Sequence, residues 1–384
     1  MIPHGFDPNL KTRGQELAKG LSSLAGVRVY YIQFASNQKA PNLGARIQFL
    51  LKEMFRPIRT SSESSDPYVR VEIPYIYLSY RRIWTWWIRI FGSWQVRRVI
   101  RRLSPDIVIN ASYIAVGLKK SPKYHYVYDL IDDHLPGTHK DWLGEKIGRF
   151  VISQLRESDT IWTISHALAE KLRLIGFKNV LYVPNGAKSE DFAAISSKQV
   201  HALRSELRIE GKRVLGFIGN HAKWSGLPLI KEIAEAMPDD WHFLIVGAGT
   251  EVDRLIRHPM KKLTFTGPVP FLDIAKYFCA IDIGLLPFER SPYTDNCLPI
   301  KILEYAFAKK LVVAQRLGEL ETLSLPFVLF PKERAVQAWV ETIDEALRRS
   351  WDSDWTRQLA AYDWREIASR AFKETEHNAR RIAS

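Results

Sequence analysis

Short apolar runs rich in β-branched residues alternate along the chain with segments of helical periodicity. The runs of the first half are Val27–Phe34, Val69–Ile73, Asp106–Asn110, Tyr124–Tyr128, Thr160–Ile164 and Val180–Val183, and those of the second half are Arg213–Ile218, His242–Val246, Leu263–Thr266, Ile281–Leu286, Leu311–Ala314 and Phe327–Leu329. Amphipathic segments such as Leu227–Ala236 and Ile300–Ala308 lie between them. This alternation is typical of parallel sheets with crossover helices, so it predicts an α/β fold.

The pattern divides the chain into two domains and a tail. Proline and Asn-Gly break regular structure, and Pro184-Asn185-Gly186 marks the predicted boundary region. We therefore expect one Rossmann-like domain over residues 1–190, a second over 191–365, and a final helix over 366–384 that crosses back to the first. A sheet of this kind normally begins with a strand ahead of the first loop. The sequence leaves open whether that strand is missing or the start is displaced.

The composition of the chain indicates its size class and the kind of partner it binds. The chain has 384 residues, 46% of them hydrophobic, which suffices for two domains with their own cores. Lys and Arg number 55 against 42 Asp and Glu, and this excess favours nucleic acid, anionic lipid or a phosphorylated substrate as partner. Two cysteines are too few for a disulfide framework. No secretory leader and no apolar run of about 18 residues is visible, so we expect no transmembrane helix.

A basic, tryptophan-rich stretch narrows the choice of partner. Residues 80–103 hold seven arginines and no carboxylate, and apolar side chains recur there at helical spacing. Such a helix is typical of a membrane interface, and the residues predicted to meet the membrane are Arg82, Trp86, Trp87, Arg89 and Trp94. The alternative is an ordinary crossover helix packed on the sheet. We expect no nucleic acid, because no zinc finger, RNA-recognition signature or Gly-rich basic tail is present.

The strongest candidate for chemistry lies between Tyr293 and Ala314. A polar loop passes through Pro299 into a helix, and proline suits a first helical turn because that turn needs no N–H from it. A helix N-terminus attracts anions, and Lys301 in the first turn adds a full positive charge. Glu304 follows one turn later and can accept hydrogen bonds from ribose hydroxyls. Together these groups predict a site for a diphosphate and a ribose.

This stretch resembles the donor-site signature of GT-B glycosyltransferases similar to glycosyltransferase family 4, roughly Pro-x-Lys-x-x-Glu-Tyr-x-Ala-x-Gly-x-Pro-Val-Val. The matching residues are Pro299, Lys301, Glu304, Tyr305, Val312 and Val313. The departures are Lys309 for the usual glycine, Leu311 for the usual proline, and Asn296 for an acidic residue further upstream. The resemblance implies that Glu304 binds the ribose of a nucleotide sugar. It also implies two Rossmann-like domains with parallel sheets facing a central cleft. We expect a reaction that needs neither cofactor nor metal, because cationic groups and the helix start can stabilise the leaving diphosphate and no Asp-x-Asp is evident at a strand end of the second half.

Three further segments resemble parts of the same donor domain. They are Val214–Lys223, Ile245–Thr250 and Phe265–Pro270. Glycine at the end of the first strand lets the backbone approach a phosphate closely. The predicted donor-binding residues are Gly219, Asn220, Lys223, Gly247, Gly267, Pro299, Lys301 and Glu304.

The first half carries candidates for a catalytic base. After the run that ends near Tyr128 come Asp129, Asp132, Asp133 and His134, and ligands of open α/β sheets bind beyond such strand ends. Transfer to a hydroxyl needs a group that takes its proton, so we expect Asp132 or Asp133 as base and His134 next. The alternative is that these acids cap the following helix, and for Asp129 that reading is preferred.

The first loop adds two cleft candidates by resemblance. In similar enzymes this loop lines the cleft below the donor phosphates, which implies His4 and Arg13 there. A solvated basic start is the alternative.

These observations favour a glycosyltransferase that moves a sugar from a nucleotide sugar to a lipid-linked saccharide acceptor in cell-surface polysaccharide synthesis. Such an enzyme would lie in the cytoplasm, at the inner face of the cell membrane. Two alternatives remain at this point, because fold does not fix chemistry. One is a sugar-nucleotide epimerase of the same fold, which needs no lipid-binding face, and the other is a non-catalytic membrane-associated module.

Overall fold

The computed structural model describes residues 1–2, 12–36, 48, 59–61, 67–75, 82–114, 116–138, 141–251 and 260–383. The chain divides into two compact units. The first comprises Met1–Ile164, Leu168–Val183 and Trp364–Ser384, and the second comprises Ser165–Ala167 and Pro184–Asp363. His4 and the side chains of Arg82, Trp86 and Trp87 lie outside the described residues.

The described part of the chain forms strands and helices in alternation. The strands are β1 Tyr30–Ser36, β2 Arg59–Ser61, β3 Val69–Tyr75, β4 Ile107–Asn110, β5 His125–Leu130, β6 Thr160–Thr163, β7 Val180–Tyr182, β8 Arg213–Ile218, β9 Trp241–Val246, β10 Leu263–Gly267, β11 Ile283–Leu286, β12 Leu311–Ala314 and β13 Val328–Leu329. The helices are α1 Arg13–Ser22, α2 Arg82–Leu103, α3 Trp142–Glu157, α4 His166–Leu174, α5 Ser189–Ala193, α6 Ser197–Glu206, α7 Leu227–Ala236, α8 Ile274–Ala280, α9 Pro292–Asp295, α10 Ile300–Phe307, α11 Gly318–Leu323, α12 Val336–Arg348, α13 Ser353–Leu359 and α14 Trp364–Ala383. No helix in these ranges combines the length and the hydropathy that crossing a bilayer requires.

The first unit holds two sheets. One has the order β1-β3-β2, in which β2 runs antiparallel, and the other has the all-parallel order β4-β5-β6-β7. Met1 and Ile2 lie between β1 and β4: the Ile32 amide donates to the Met1 carbonyl at 2.9 Å, and the Ile2 amide donates to the Ile109 carbonyl at 2.8 Å. This dipeptide therefore joins the two sheets.

Helices α1 and α14 pack against one another in the first unit. Helix α1 begins at a capping box in which Thr12 and Gln15 bond reciprocally, which satisfies two amides of the helix start. Helix α14 buries Trp364, Ile367 and Ala368 in the same cluster as Leu17 of α1. The tail that the sequence predicts as a helix is thus part of the first unit's core.

The described strands of the second unit form one parallel sheet with the order β10-β9-β8-β11-β12-β13. The strand order reverses between β8 and β11, which is where open α/β sheets bind their ligands. Strand β9 is buried along its whole length, as expected for a parallel strand with helices on both faces. The apolar run over 242–246 predicted this strand, whereas the short edge strand β2 was missed because its residues Arg59, Thr60 and Ser61 carry no hydrophobic pattern.

We expect Gly20→Ala to destabilise the first unit. A Cβ at Gly20 would lie 2.6 Å from the Ala368 Cβ and 2.9 Å from the Trp364 carbonyl oxygen, so α1 and α14 would have to separate. Overpacking of this kind costs about 1–3 kcal/mol in free energy of unfolding. Chemical denaturation measures the effect. Gly14→Ala on the same helix is the control, because its Cβ would meet only ordinary contacts, the nearest at 3.4 Å. Equal stability of the two variants would contradict the expectation.

Candidate functional site

The loop after β8 and the loop after β9 contact one another at the point where the strand order of the second unit reverses. Strand β8 ends at Ile218, and Gly219 follows with φ +138°. A Cβ at Gly247, which follows β9, would lie 2.0 Å from the Gly219 carbonyl oxygen. The Gly247 amide in turn donates to the Gly267 carbonyl at 2.9 Å. The structure thus brings the three predicted glycines together, and at Gly219 and Gly247 the close approach leaves no room for a side chain.

Lys301 lies directly below Gly219. Its side chain is buried, and its Nζ would be 2.5 Å from a Cβ at position 219. The ammonium sits between two aromatic rings, 4.7 Å from the Phe217 centroid and 5.1 Å from the Phe288 centroid. None of the residues that the structure describes gives this Nζ a hydrogen-bond partner. A buried cation without a partner is costly, and an incoming anion would remove that cost.

The protonation of Lys301 reflects this environment. Burial lowers the pKa of Lys301 to about 8, and the negative charge of Glu304 opposes that shift. The side chain is still mainly charged at neutral pH. A bound phosphate would raise the pKa again, because a nearby negative charge favours the protonated form.

Helix α10 is fixed to the sheet by Tyr305. The Tyr305 hydroxyl donates to the Gly216 carbonyl at 2.9 Å and accepts from the Ile218 amide at 3.2 Å, so one side chain ties the helix to the end of β8. This contact sets the positions of Lys301 and of the half-buried Glu304 against the Gly219 loop. The sequence marked Tyr305 only as a match to the signature, not as an anchor.

The loop before α10 is held by two side chains for which the sequence predicted no role in the site. Ser165 Oγ donates to the Asn296 carbonyl at 2.6 Å, and Asn185 Nδ2 donates to the Leu298 carbonyl at 3.0 Å. Pro299 stands at the N-cap of α10 and offers the first turn no side-chain acceptor. The loop is therefore held in place, and no described side chain caps the start of α10, which leaves its first N–H groups able to bind an anion.

His221 was also missed, although it lies two residues after Gly219. It is fully buried, its Nε2 lies 3.1 Å from the Val246 carbonyl, and burial lowers its pKa to about 4. A neutral imidazole donates one hydrogen bond to that carbonyl. Its own amide donates to Ala248, and its carbonyl accepts from Glu251, so His221 binds the loop after β8 to the loop after β9. Two other predicted residues, Asn220 and Lys223, are exposed beside this loop.

In the first unit, Arg13 and Asp129 form a buried ion pair. Arg13 Nη2 lies 2.9 Å from Asp129 Oδ1 and also donates to the Val183 carbonyl at 2.8 Å. Arg13, which the resemblance implies in the cleft, is therefore paired with Asp129, for which the sequence favoured a structural role. The pair links the start of α1 to β5 and to the residue after β7.

The three candidate bases occupy different environments at the end of β5. Asp133 is buried, and its carboxylate accepts from the Leu135 amide at 3.1 Å and from Thr138 Oγ1 at 2.8 Å, with Lys171 Nζ at 2.7 Å. These contacts favour Asp133 as the residue that holds this loop. Asp132 and His134 are half-buried, and the His134 ring stacks on Tyr113 with centroids 4.6 Å apart. Geometry thus favours Asp132 or His134 for proton transfer, and all three assignments stay predictions.

Helix α2 presents apolar side chains on two sides. Val96 and Val99 are buried in the core of the first unit, whereas Ile90 is 44% and Trp94 is 39% exposed. Part of the helix therefore packs as a crossover helix, and part leaves an apolar surface. Arg89 contributes to the packing, because its guanidinium lies 3.7 Å from the Phe150 ring centroid. Burial also lowers the pKa of Arg89.

Sequence comparisons match both units. The profile "Glycosyltransferase Family 4" matches residues 13–191, and "Glycosyl transferases group 1" matches residues 212–349. Among curated relatives, a protein named for teichuronic acid biosynthesis, the glycosyltransferase TuaH of Bacillus subtilis, is 34% identical over 168 residues, which are 42% of this chain and 41% of TuaH. A protein named for colanic acid biosynthesis, the glycosyl transferase WcaI of Escherichia coli, is 30% identical over 110 residues, 28% of this chain and 27% of WcaI. The matched region thus spans less than half of either relative.

Solved structures show the same fold at low identity. Anabaena HepE in complex with UDP has a TM-score of 0.68 and 14% identity, with 98% of each chain covered. Sucrose-phosphate synthase of Thermosynechococcus elongatus has a TM-score of 0.69 and 14% identity, covering 96% of this chain and 92% of its own. WaaG, a glycosyltransferase involved in lipopolysaccharide biosynthesis, has a TM-score of 0.61 and 13% identity, covering 96% and 93%. These likenesses establish the GT-B fold, with parallel sheets in two domains.

We expect Lys301→Met to stabilise the ligand-free protein at pH 7. The native lysine loses its proton near pH 8 in the folded chain and near 10.5 in the unfolded chain, so keeping it charged destabilises the fold below about pH 8. Removing the charge should raise the free energy of unfolding by roughly 1–3 kcal/mol, and this gain should shrink as pH rises from 8 to 10.5. Denaturation across this pH range measures it, with the exposed Lys198→Met as control. A loss of stability at pH 7, or a gain independent of pH, would contradict the expectation.

Proposed function

Because the chain belongs to the GT-B glycosyltransferases of the family 4 and group 1 type, we propose that it transfers a sugar from a nucleotide sugar to a saccharide acceptor in polysaccharide biosynthesis. One observation carries this proposal: the buried ammonium of Lys301, to which no described residue gives a hydrogen bond, lies at the reversal point of the sheet, one helical turn from Glu304. That arrangement suits a nucleoside diphosphate, whose phosphates need positive charge and whose ribose needs an acceptor.

The donor site explains how the leaving group is stabilised. When the glycosidic bond to the donor breaks, negative charge develops on the diphosphate. Lys301 and the N–H groups at the start of α10 are already positioned for that charge and need no rearrangement. Glu304 accepts from the ribose hydroxyls. We include no metal in this mechanism, because these cationic groups serve the leaving group themselves. HepE, which shares the fold, binds UDP and UDP-glucose, and this supports the choice of donor class.

The acceptor site supplies the base. Asp132 or His134 accepts the proton of the attacking hydroxyl, while Asp133 holds the loop through Lys171 and Thr138. A carboxylate or an imidazole within hydrogen-bond reach of the acceptor hydroxyl suits this step.

A lipid-linked acceptor fits the surface of helix α2. Ile90 and Trp94 are exposed there, and Arg97, Arg101 and Arg102 are exposed further along the same helix. Apolar and cationic side chains on one helix favour the headgroup layer of an anionic membrane, where each cation contributes about 1 kcal/mol. TuaH and WcaI are named for teichuronic and colanic acid biosynthesis, and WaaG is described as involved in lipopolysaccharide biosynthesis. With the surface of α2, this supports our placing the acceptor at the inner face of the cell membrane.

Glu304→Ala should weaken the binding of UDP or another nucleoside diphosphate at least tenfold and abolish sugar transfer, because the ribose loses its acceptor. Calorimetry with the nucleotide and product analysis across a panel of nucleotide sugars measure both effects. The control is Glu232→Ala, an exposed carboxylate on α7. Unchanged binding and turnover in the Glu304 variant would refute the donor site. If the parent protein converts the donor to its epimer and transfers no sugar, it is an epimerase instead.

Replacing Ile90 and Trp94 together by Ser should reduce flotation of the protein with vesicles that contain anionic lipid. The reason is the loss of the exposed apolar surface, while the arginines stay in place. Trp142→Ser is the control, since that tryptophan is 40% exposed on a different helix. If the parent protein does not float, or if the double variant floats equally well, the membrane proposal fails. The donor-site proposal stands or falls separately.

A further inference from the structure

Tyr113 covers one face of the His134 imidazole in the first unit. The two rings have centroids 4.6 Å apart and planes 26° from parallel, and both side chains are half-buried. Tyr113 lies in the loop after β4, and His134 lies in the loop after β5. Because β4 and β5 are neighbouring parallel strands, both loops leave the sheet at the edge where ligands of such sheets bind.

A stacked tyrosine restrains an imidazole without using its nitrogens. The second side-chain torsion of histidine has broad minima, so an imidazole on a loop turns easily unless a neighbour blocks the rotation. The hydrogen bonds of an imidazole lie in the plane of its ring, whereas Tyr113 lies against the face of that ring. The contact therefore fixes the direction of the His134 nitrogens and does not cover them.

The loop that carries Tyr113 is itself held by hydrogen bonds on both sides of that residue. The Ser112 amide donates to Asn110 Oδ1 at 3.0 Å, and the Tyr128 hydroxyl donates to the Ser112 carbonyl at 3.2 Å. The Val116 amide donates to Ser112 Oγ at 3.2 Å, which closes the turn around Tyr113. Asn110, Ser112 and Tyr128 are buried, so water does not compete for these bonds.

Helix α2 holds the next part of the same loop. Ser93 Oγ accepts from the Gly117 amide at 2.8 Å, and Arg97 Nη2 donates to the Gly117 carbonyl at 3.1 Å. Arg89 Nε donates to the Ile114 carbonyl at 3.4 Å. Residues 89, 93 and 97 are spaced four apart, so they share one face of the helix. Both backbone groups of Gly117 are thus bound by that face.

We propose that Tyr113 is a positioning residue for sugar transfer, which holds the His134 imidazole in the orientation in which it accepts the proton of the attacking hydroxyl. This inference rests on the proposed function and selects His134 over Asp132 as the base. Ser93 acts one step further away, because it fixes the loop that carries Tyr113.

The reaction shows why the orientation of the imidazole affects the rate. The acceptor oxygen forms a bond to the anomeric carbon of the donor sugar, and the bond from that carbon to the diphosphate breaks. The bonding electron pair leaves with the diphosphate, and the hydroxyl proton moves to a His134 nitrogen, which makes an imidazolium. The nitrogen must lie within hydrogen-bond reach of this proton, and a displacement of about 1 Å can lower the rate about a hundredfold.

Nuclear magnetic resonance of the full chain with 13C-labelled histidines tests the contact itself. The His134 Hε1 signal, assigned by its loss in His134→Gln, should be shifted upfield by the tyrosine ring. The signal should move downfield in Tyr113→Leu, which removes the ring, and stay in place in Tyr113→Phe, which keeps it. Ser93→Ala should move the signal in the same direction by less. Tyr124→Leu is the control, because that half-buried tyrosine lies at the opposite end of β5 and should leave the signal unchanged.

Kinetics then test the role in transfer. The measured rate is the release of UDP from UDP-glucose, or of the diphosphate from whichever nucleotide sugar of the panel above the parent turns over. Tyr113→Leu should lower kcat about ten- to a hundredfold, whereas Tyr113→Phe and Tyr124→Leu should stay near the parent. Binding of UDP, measured by calorimetry, should be unchanged, because the candidate donor site lies in the second unit.

Four results would overturn the proposal. An unmoved His134 signal in Tyr113→Leu means that the tyrosine does not hold the ring. A moved signal with unchanged kcat means that another group, such as Asp132, is the base. An equal loss of kcat in Tyr113→Leu and Tyr113→Phe assigns the effect to the tyrosine hydroxyl. A loss of kcat together with weaker UDP binding means general damage to the structure.

Two further outcomes separate this inference from the proposed function. If the parent turns over no nucleotide sugar, the proposed function fails, and the role of Tyr113 fails with it. If the parent is active and the Tyr113 variants match it, only the role of Tyr113 fails. Should Tyr113→Leu not fold, Ser93→Ala decides in its place, since it keeps the tyrosine and loosens only the loop: a shifted His134 signal with lower kcat supports the proposal, and parental values of both overturn it.

Discussion

The rest of the candidate donor site in the second unit depends on one buried positive charge. Lys301 is buried between Phe217 and Phe288, below a glycine that leaves room for nothing larger than backbone. This packing removes water from the ammonium, and the pKa of Lys301 falls because the charged form is no longer solvated. Tyr305 prevents the helix from relaxing away, because it ties α10 to β8. The buried charge therefore destabilises the ligand-free protein. Such a charge is expected at a site where a bound anion pairs with it.

The first unit uses its polar residues differently. Asp129 is neutralised by Arg13, and Asp133 by Lys171 together with two further hydrogen bonds. These carboxylates fix the end of β5 rather than wait for a ligand. Half-buried neighbours on the same loop, Asp132 and His134, remain the better candidates for chemistry. Acidic residues that follow one strand can thus have different roles. The buried, paired carboxylates stabilise the loop, and the half-buried groups are the candidates for proton transfer.

The sequence predicted the strands of the second sheet well because they are buried on both faces and read as continuous apolar runs, as in β9. It predicted Lys301 and Glu304 through helix periodicity and a known signature. It missed β2, whose three residues are polar, and it missed His221, since a histidine after a glycine carries no pattern. Its choice of Asp133 as a base stays a prediction, but spacing along the chain does not show that Lys171, 38 residues later, lies 2.7 Å away. Local periodicity is visible in a sequence, whereas long-range pairing is not.

Helix α14 has a consequence for how the chain is made. It completes the core of the first unit, and Trp162 donates to Thr375 across 213 residues of sequence. During synthesis, the whole of the second unit is translated before α14. Domains fold as units as they emerge, so the second unit can reach its native state while the first still exposes the surface that α14 covers. The part of the protein that is translated first is therefore the part that finishes folding last.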